Sequence, residues 1–292
     1  MTVRYGILLL VSALCGCAHE TGEQPLAAID YRPDGKLLMV ETRINDGDPS
    51  WFIVDSGARH SIIDPRLQAV LGLATISTGA TTGVGTGAVP IGHVGPVTMK
   101  IGGLTLAVPD PWVIDLAGVQ VDPSVRGLVG AELFNMHLVR IDPARKRLEI
   151  FDGERHRHPR GAAFVPLTVE GDRLFIPVKL DVRPGLTEIV RVRIDTGSED
   201  SVAHALAAQA QDRRSSRLGQ GLGTSYEGWS GKFRSVALGP YVIRDVWGPA
   251  VEHPTIGMEI LRRFRLTFDA RHGRLYLEPN ASLVDPVPGP PA

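Results

Sequence analysis

WFIVDSGA at residues 51–58 and VRIDTGS at residues 192–198 share one pattern. Each is a short apolar run, typical of a buried strand, that reaches an aspartate followed by a small hydroxyl residue and a glycine. One such triplet arises easily by chance and indicates little. Two copies, with Asp55 and Asp195 lying 140 positions apart, indicate that the chain contains an internal duplication.

The surroundings of the two stretches also match. Upstream, YRPDGKLLMV at residues 31–40 resembles VEGDRLFIPV at residues 169–178, and both are typical of a hairpin turn that enters a strand. Downstream, the apolar-apolar-glycine segments and the strands that follow them repeat with one offset of 127 positions, as in LVRID at 138–142 and RLTFD at 265–269. The duplicated unit therefore extends well beyond the aspartate motifs.

Composition favours a β-rich body. Thirty-three glycines and 22 prolines lie among short Val, Ile and Leu runs, which favours many short strands joined by turns. We expect an N-terminal lobe at residues 31–152, a linker at 153–162, a C-terminal lobe at 163–280 and a disordered, proline-rich tail at 281–292. The net charge of −1 offers no electrostatic reason to expect nucleic-acid binding.

The first residues predict export and anchoring. One cation, a short apolar run and small residues are typical of a signal peptide, and the run is too short for a permanent transmembrane helix. The sequence LCGC, which ends at Cys17, resembles the lipobox of bacterial lipoproteins. By that resemblance residues 1–16 are removed, Cys17 carries the lipid and residues 17–30 form a tether. Ala18 after the lipidated residue favours the outer membrane, facing the periplasm. An ordinary cleaved signal is the alternative.

The paired motifs resemble the aspartic peptidase superfamily, and the resemblance covers nearly all of the chain between tether and tail. The resemblance implies a mainly β, bilobal fold with short helices, in which Asp55 and Asp195 project into a cleft between the lobes. It also implies that Ser56 and Thr196 reach across to the partner loop, while Gly57 and Gly197 let the loops approach. A chain with both motifs is similar to the pepsin arrangement and is expected to be a monomer.

The chemistry implied is peptide-bond hydrolysis by an activated water. Two nearby carboxylates share one proton, so one acts as base towards water and the other polarises the scissile carbonyl. No metal or cofactor is required. Because Ser198 can donate a hydrogen bond to Asp195, and Ala58 cannot do so for Asp55, we predict that Asp195 is the base and Asp55 carries the proton.

Glycine-rich stretches at residues 79–87 and 219–223 lie where such enzymes have flap hairpins, and no βαβ context supports a phosphate loop there. Gly83 and Gly85 mark the first flap. That stretch has no aromatic residue, whereas Tyr226 and Trp229 follow the second, so the second lobe is a candidate lid. The alternative is that both rings simply pack on the surface or in the core.

Other interpretations remain open. Aspartates are common at strand ends, where they form turns. A duplicated lobe can also serve as an inert peptide-binding or scaffold module, because function belongs to the site and not to the fold. A retroviral-type dimer with one decayed lobe is a third reading.

Overall fold

The structure is a computed structural model that describes residues 24–83, 85–119, 121–153, 163–219 and 221–290. Of these residues, 53% lie in strands and 10% in helices, so the predicted mainly β fold is confirmed. The predicted signal peptide, Cys17 and most of the linker lie outside the described residues. Within the described ranges, no helix has the length and apolar character needed to cross a membrane.

The N-terminal half is built from short strands with two brief helices in its described part. In chain order they are β1 (Ala27–Asp30), β2 (Arg32–Asp34), β3 (Leu37–Ile44), β4 (Ser50–Val54), β5 (Ile62–Ile63), α1 (Pro65–Val70), β6 (Thr75–Thr82), β7 (Ala88–Val94), β8 (Val97–Ile101), β9 (Leu104–Val108), β10 (Trp112–Val113), β11 (Val125–Val129), α2 (Ala131–Met136), β12 (Leu138–Asp142) and β13 (Arg147–Phe151).

The C-terminal half repeats much of this order. In its described part it has β14 (Phe164–Pro166), β15 (Thr168–Glu170), β16 (Arg173–Arg183), β17 (Leu186–Ile194), β18 (Val202–Ala203), β19 (Arg213–Leu218), β20 (Tyr226–Leu238), β21 (Tyr241–Pro249), β22 (Thr255–Ile256), α3 (Met258–Leu261), β23 (Phe264–Asp269) and β24 (Arg274–Pro279). Short 3-10 helices span Ala205–Gln209 and Ala281–Val284.

One sheet joins the two lobes. Over the described residues it has six strands in the order β1-β13-β12-β23-β24-β14, and each lobe supplies three of them. The central pair, β12 and β23, is antiparallel, with Arg140 opposite Thr267. These two residues are 127 positions apart, the same offset as the downstream repeat. The duplicated segments therefore pair with each other at an approximate twofold axis.

Each lobe has its own curled sheet, in which one hairpin leads to an aspartate motif. In the first lobe β3 pairs with β4, and in the second β16 pairs with β17. Side chains of β16 alternate between buried and more exposed positions, as expected for a strand with one face in the core. The turn before β16 has Gly171 and Asp172 both at positive φ (52° and 63°), which is typical of a tight hairpin turn.

Two boundary predictions differ from the structure. Residues 27–30, predicted to belong to the tether, form β1 and pair with β13. Residues 281–290, predicted to be disordered, pack on the C-terminal lobe, and Val287 is 8% exposed. The guanidinium of Arg263 is fully buried and donates hydrogen bonds to the carbonyl oxygens of Ser282 and Asp285. A buried cation needs such acceptors, so the tail is held in place.

Candidate active site

Asp55 and Asp195 follow directly after the last residues of β4 and β17. A second strand lies behind each aspartate loop, because β11 pairs in parallel with β4 and β22 pairs in parallel with β17. The backbone N–H of Asp55 donates to the Val129 carbonyl at 2.9 Å, and that of Asp195 donates to the Ile256 carbonyl at 3.0 Å. The apolar-apolar-glycine segments thus hold both loops from behind.

The two aspartate loops are joined by four buried hydrogen bonds, which we call the loop clasp. The Ser56 hydroxyl donates to the Ile194 carbonyl (3.0 Å) and accepts from the Thr196 N–H (3.1 Å). In return, the Thr196 hydroxyl donates to the Val54 carbonyl (2.8 Å) and accepts from the Ser56 N–H (2.9 Å). Both side chains are at most 1% exposed. Each hydroxyl therefore satisfies one donor and one acceptor of the other lobe.

Glycine is needed on both loops because each carboxyl group lies against the opposite glycine. A Cβ built on Gly57 would lie 2.5 Å from Cγ of Asp195. A Cβ built on Gly197 would lie 2.4 Å from Cγ of Asp55. Both distances are far inside van der Waals contact, so no larger residue fits. The structure therefore brings the predicted aspartates and their supporting residues into one site between the lobes.

The two carboxyl groups have different surroundings. Burial and the neighbouring charge of Asp195 raise the pKa of Asp55 to about 7, against the opposing effects of N–H donors and of Arg193. The N–H groups of Gly57 and Ala58 both donate to Oδ1 of Asp55, at 2.8 and 3.1 Å. Near neutral pH, Asp55 therefore exchanges its proton readily.

Arg193 is a site residue that the sequence prediction missed. Its Nη2 lies 2.9 Å from Oδ2 of Asp195, and both side chains are largely buried, at 15% and 9% exposure. The signal was present in the sequence: Arg193 precedes Asp195 by two residues on one strand, so both side chains point to the same face. The pairing places a guanidinium directly against one oxygen of the Asp195 carboxyl group.

Ser198 does not make the contact predicted for it. Its hydroxyl accepts a hydrogen bond from the backbone N–H of Asp200 at 3.2 Å, while its own N–H is directed to the Asp195 carbonyl. The guanidinium of Arg193 occupies the role that we assigned to this hydroxyl. The contact from which we predicted the roles of Asp55 and Asp195 is therefore absent, and those roles stay a prediction.

The two flap hairpins meet at their tips. One is formed by β6 and β7 and the other by β19 and β20. Thr86 and Thr224 exchange backbone hydrogen bonds of 2.9 Å each, and the Gly85 N–H donates to the Leu222 carbonyl at 3.0 Å. A Cβ on Gly83 would lie 2.0 Å from that carbonyl oxygen. One hairpin from each lobe therefore contributes to this contact, so the second-lobe hairpin does not stand alone.

The two aromatic residues proposed for the second flap lie on β20, after the tip. Tyr226 is half-buried and pairs with Leu218 of β19, whereas Trp229 is 52% exposed, with the Arg213 guanidinium 5.8 Å from its ring centroid. In the part of the chain that the structure describes, no group of three or more His, Cys, Asp or Glu side chains is arranged to hold a metal ion.

Comparisons with known proteins relate parts of the chain to other proteins. Residues 40–133 match the family described as Aspartyl protease. DNA damage-inducible protein 1 of Kluyveromyces lactis is 29% identical over 144 residues, which are 47% of this chain and 32% of that protein. The chain thus spans about a third of the length of this relative. These findings support a relationship with the aspartic peptidase superfamily and, at the level of the family, a protease.

Among solved structures, the chain is similar to basic 7S globulin from soybean. The TM-score is 0.47 at 12% identity, and the superposition covers 86% of this chain and 94% of the globulin.

Proposed function

We propose that this chain is an aspartic endopeptidase that hydrolyses peptide bonds with the Asp55/Asp195 pair and an activated water. One observation carries the proposal: the loop clasp holds two carboxyl groups close together in different environments. Asp195 lies beside the Arg193 guanidinium, and Asp55 has its pKa raised to about 7. A pair in these two states has one base and one acid near neutral pH, which is what peptide hydrolysis needs.

In this mechanism the ionised Asp195 removes a proton from water, and the water oxygen attacks the carbonyl carbon of the peptide. The protonated Asp55 gives its proton to the carbonyl oxygen. Because two N–H groups occupy Oδ1 of Asp55, the proton belongs on Oδ2. When the tetrahedral gem-diol intermediate collapses, Asp195 passes its proton to the nitrogen, the C–N bond breaks and the amine leaves, while Asp55 recovers a proton from one hydroxyl, whose oxygen becomes the carbonyl oxygen of the new carboxyl group.

The substrate is expected to be an extended peptide that lies in the cleft and pairs with a flap strand. Tyr226 and Trp229 are candidates to line that channel, together with Gly83 and Gly85. Because backbone hydrogen bonds join the flap tips to each other, the tips are expected to separate before the peptide enters. Local opening of two hairpin tips breaks few contacts and lies within the ordinary range of loop motion.

We further propose that the enzyme acts in the bacterial cell envelope, as a monomer anchored by lipid at Cys17 and facing the periplasm from the outer membrane. The LCGC stretch at residues 14–17 supports this. Metabolic labelling with a palmitate analogue tests it: label and membrane association are expected in the wild type and lost in Cys17→Ala. A labelled Cys17→Ala variant would contradict the anchor.

One observation favours the inert binding module as a second candidate. Arg193 already satisfies Oδ2 of Asp195, which weakens that carboxylate as a base. If the guanidinium never moves away, the cleft binds peptides without cutting them.

The test is cleavage of mixed peptides by the full chain from pH 3 to 9. We expect cleavage that falls as the pH rises through about 7, where Asp55 loses its proton. Asp55→Asn and Asp195→Asn are each expected to lower the rate by at least about 1,000-fold, since each removes one half of the acid-base pair. Asp46→Asn, a change at an almost fully exposed carboxylate, is the matched control and retains activity. Peptide binding without cleavage at any pH would favour the module.

A further inference from the structure

The strand face that leads to Asp195 carries two arginines in addition to an aromatic residue. On β17, Arg193 points to the same face as Asp195. On the neighbouring strand, Phe175 lies opposite Arg193, so Arg173 belongs to this face as well. Arg193 and Arg173 are both partly buried. Two guanidinium groups therefore flank the aspartate at the C-terminal side of the cleft.

A third arginine approaches from the other lobe. Arg59 follows the Asp55 loop, and its Nη2 lies 3.6 Å from the Cβ position of Gly171, in the turn that precedes Arg173. Burial lowers the pKa of Arg173, and the charges of Arg193 and Arg59 lower it further, which places the three cations within electrostatic reach of one another. We name Arg59, Arg173 and Arg193 the arginine cluster.

The positive charge of the arginine cluster is only partly balanced by ion pairs with neighbouring carboxylates. Arg193 pairs with Asp195. Among the described residues, no hydrogen bond or ion pair satisfies Arg59 or Arg173, and the Nε atoms of Arg173 and Arg193 are buried without a partner. The charges of Asp195 and Asp55 act in the opposite direction on Arg173, but burial and the two neighbouring guanidinium groups outweigh them. Unpartnered buried guanidinium donors are costly unless an anion binds them.

We propose that the arginine cluster is a substrate subsite that binds a peptide carboxylate next to the scissile bond. The inference rests on the proposed function for its placement. The planar guanidinium donates in the fork geometry that a carboxylate accepts. Because Arg193 touches Asp195, and one extended residue spans roughly 3.3 Å, the recognised residue is within one or two positions of the bond that is cut. The preferred substrate is thus a peptide with an acidic residue beside its cleavage site.

The experiment compares paired peptides that carry Glu or Gln at each position flanking one scissile bond. Both ends are blocked, so that the side chain supplies the only carboxylate, and a third set has neutral side chains and a free C-terminus. With full-length wild type, we expect kcat/KM for the best Glu peptide to exceed that of its Gln partner by about tenfold or more, as for one charge-assisted hydrogen-bonded pair. If kcat/KM rises only for peptides with a free C-terminus, the subsite binds the terminal carboxylate and not an acidic side chain.

The variants are Arg173→Leu, Arg173→Lys and Arg59→Gln, each checked for folding by thermal melting. The Glu/Gln ratio is expected to fall towards one in Arg173→Leu and to stay clearly above one in Arg173→Lys, which keeps the charge. Arg59→Gln, a change at an exposed side chain, lowers the ratio less. A wild-type ratio near one at every position would overturn the subsite and leave the proposed peptidase standing.

Binding to the Asp55→Asn variant separates the subsite from the reaction. Fluorescently labelled Glu and Gln peptides are titrated against this variant with and without Arg173→Leu. Tighter binding of the Glu peptide that Arg173→Leu removes supports the subsite, even if the wild type cuts no peptide. Equal binding of both peptides overturns it, whether or not the wild type is a peptidase.

Discussion

The two lobes have equivalent strands leading to the aspartates, but the side chains on these strands differ in charge. In the N-terminal lobe Met39 pairs with Ile53, two residues before Asp55. In the C-terminal lobe Phe175 pairs with Arg193, two residues before Asp195. Arg193 thus takes the position of Ile53, and Arg173 takes that of Leu37. The first lobe has an apolar face here, whereas the second has a cationic one.

The loop that enters the strand behind each aspartate motif differs in length between the lobes. This difference explains how an apolar face is stable in one lobe and a charged face in the other. Eleven residues, 114–124, join β10 to β11, whereas five residues, 250–254, join β21 to β22. The longer connection supplies Ile114 and Leu116 to the cluster that buries Ile53. The shorter one leaves Arg193 with 15% exposure. A side chain that keeps contact with water at its tip can be charged, so loop length and residue type change together.

The largest expected effect comes from giving the second lobe the residue of the first. Arg193→Ile leaves the buried Asp195 without its cation, and removing one partner of such a pair costs about 3–5 kcal/mol. We expect a loss of this size in the free energy of unfolding at pH 8, measured by urea denaturation, and a smaller loss at pH 4. Arg193→Lys, which keeps the charge, should recover part of it.

Activity measurements on the same variant test whether the cation sets the acid-base division. Arg193 also lowers the pKa of Asp55, so its removal favours protonation of both members of the pair. Both limbs of the pH–rate profile should therefore move to higher pH in Arg193→Ile. An unmoved profile would mean that the ion pair is structural and that the two aspartates are electrostatically equivalent.

Removing each aspartate in turn should change stability in opposite directions. The folded state binds the Asp55 proton more tightly than the unfolded chain does, because its pKa rises from 3.8 to about 7. The contribution of Asp55 to wild-type stability therefore falls as the pH rises from about 4 through 7. Asp55→Asn avoids this loss, and at pH 8 it should be more stable by a few kcal/mol, at about 1.4 kcal/mol per pKa unit.

Thermal melts at pH 4 and pH 8 check the expected stabilisation. The advantage of Asp55→Asn should be small at pH 4, which lies close to the unfolded pKa of 3.8, and should grow towards pH 8. Asp195→Asn is the matched comparison, and it should destabilise the protein because Arg193 is left buried without a counter-charge. Equal effects of the two variants would show that the carboxyl groups share one environment.

The loop clasp is the part of the site where the lobes should behave alike. Thr196→Ala leaves the Ser56 N–H and the Val54 carbonyl unsatisfied, and Ser56→Ala does the same to the Thr196 N–H and the Ile194 carbonyl. Each change should cost about 2 kcal/mol in unfolding free energy, from two buried hydrogen bonds. Thr196→Ser keeps the hydroxyl and should cost much less. A large difference between the two alanine variants would contradict the symmetry of the clasp.

Much of the site was predictable because it is encoded in short, repeated patterns. A strand that ends in Asp, a hydroxyl residue and Gly specifies the loop locally, and two copies specify that the loops face each other. The glycine-rich stretches likewise located both flap hairpins. Their tip-to-tip contact was not predictable, since it depends on how far each hairpin extends, and the bridge between Thr86 and Thr224 has no signature in either segment.

The features that were missed depend on which of several possible partners each side chain contacts in the folded chain. In the sequence Arg193 looks like an ordinary strand residue, and only the structure shows that its side chain contacts Asp195. The tail reads as disordered because it is rich in proline, yet its carbonyl groups are what Arg263 requires. Ser198 was given a role by its identity alone, whereas its hydroxyl is used by the turn that follows. Composition cannot identify such acceptors.

The smallest expected effect concerns the contacts between each hairpin turn and the opposite aspartate loop. In one of these contacts the Lys36 N–H donates to the Glu199 carboxylate at 2.6 Å, and its ammonium lies 3.1 Å from Glu259. In the other, Arg59 stands at the position equivalent to Glu199 and approaches the turn that carries Arg173. One contact joins opposite charges and the other joins like charges.

Arg59→Glu gives the second contact the residue of the first. An exposed pair contributes roughly 0.2–1 kcal/mol, so we expect a gain of that size in the unfolding free energy, which high salt should remove. The same change fills the arginine cluster with an internal carboxylate, and the Glu/Gln preference in peptide cleavage should fall. Arg59→Gln separates the two effects, because it removes a like charge without adding an anion. If Arg59→Glu were more stable and kept its preference for Glu peptides, Arg59 would lie outside the subsite and the like-charge contact would be a feature of the lobe interface alone.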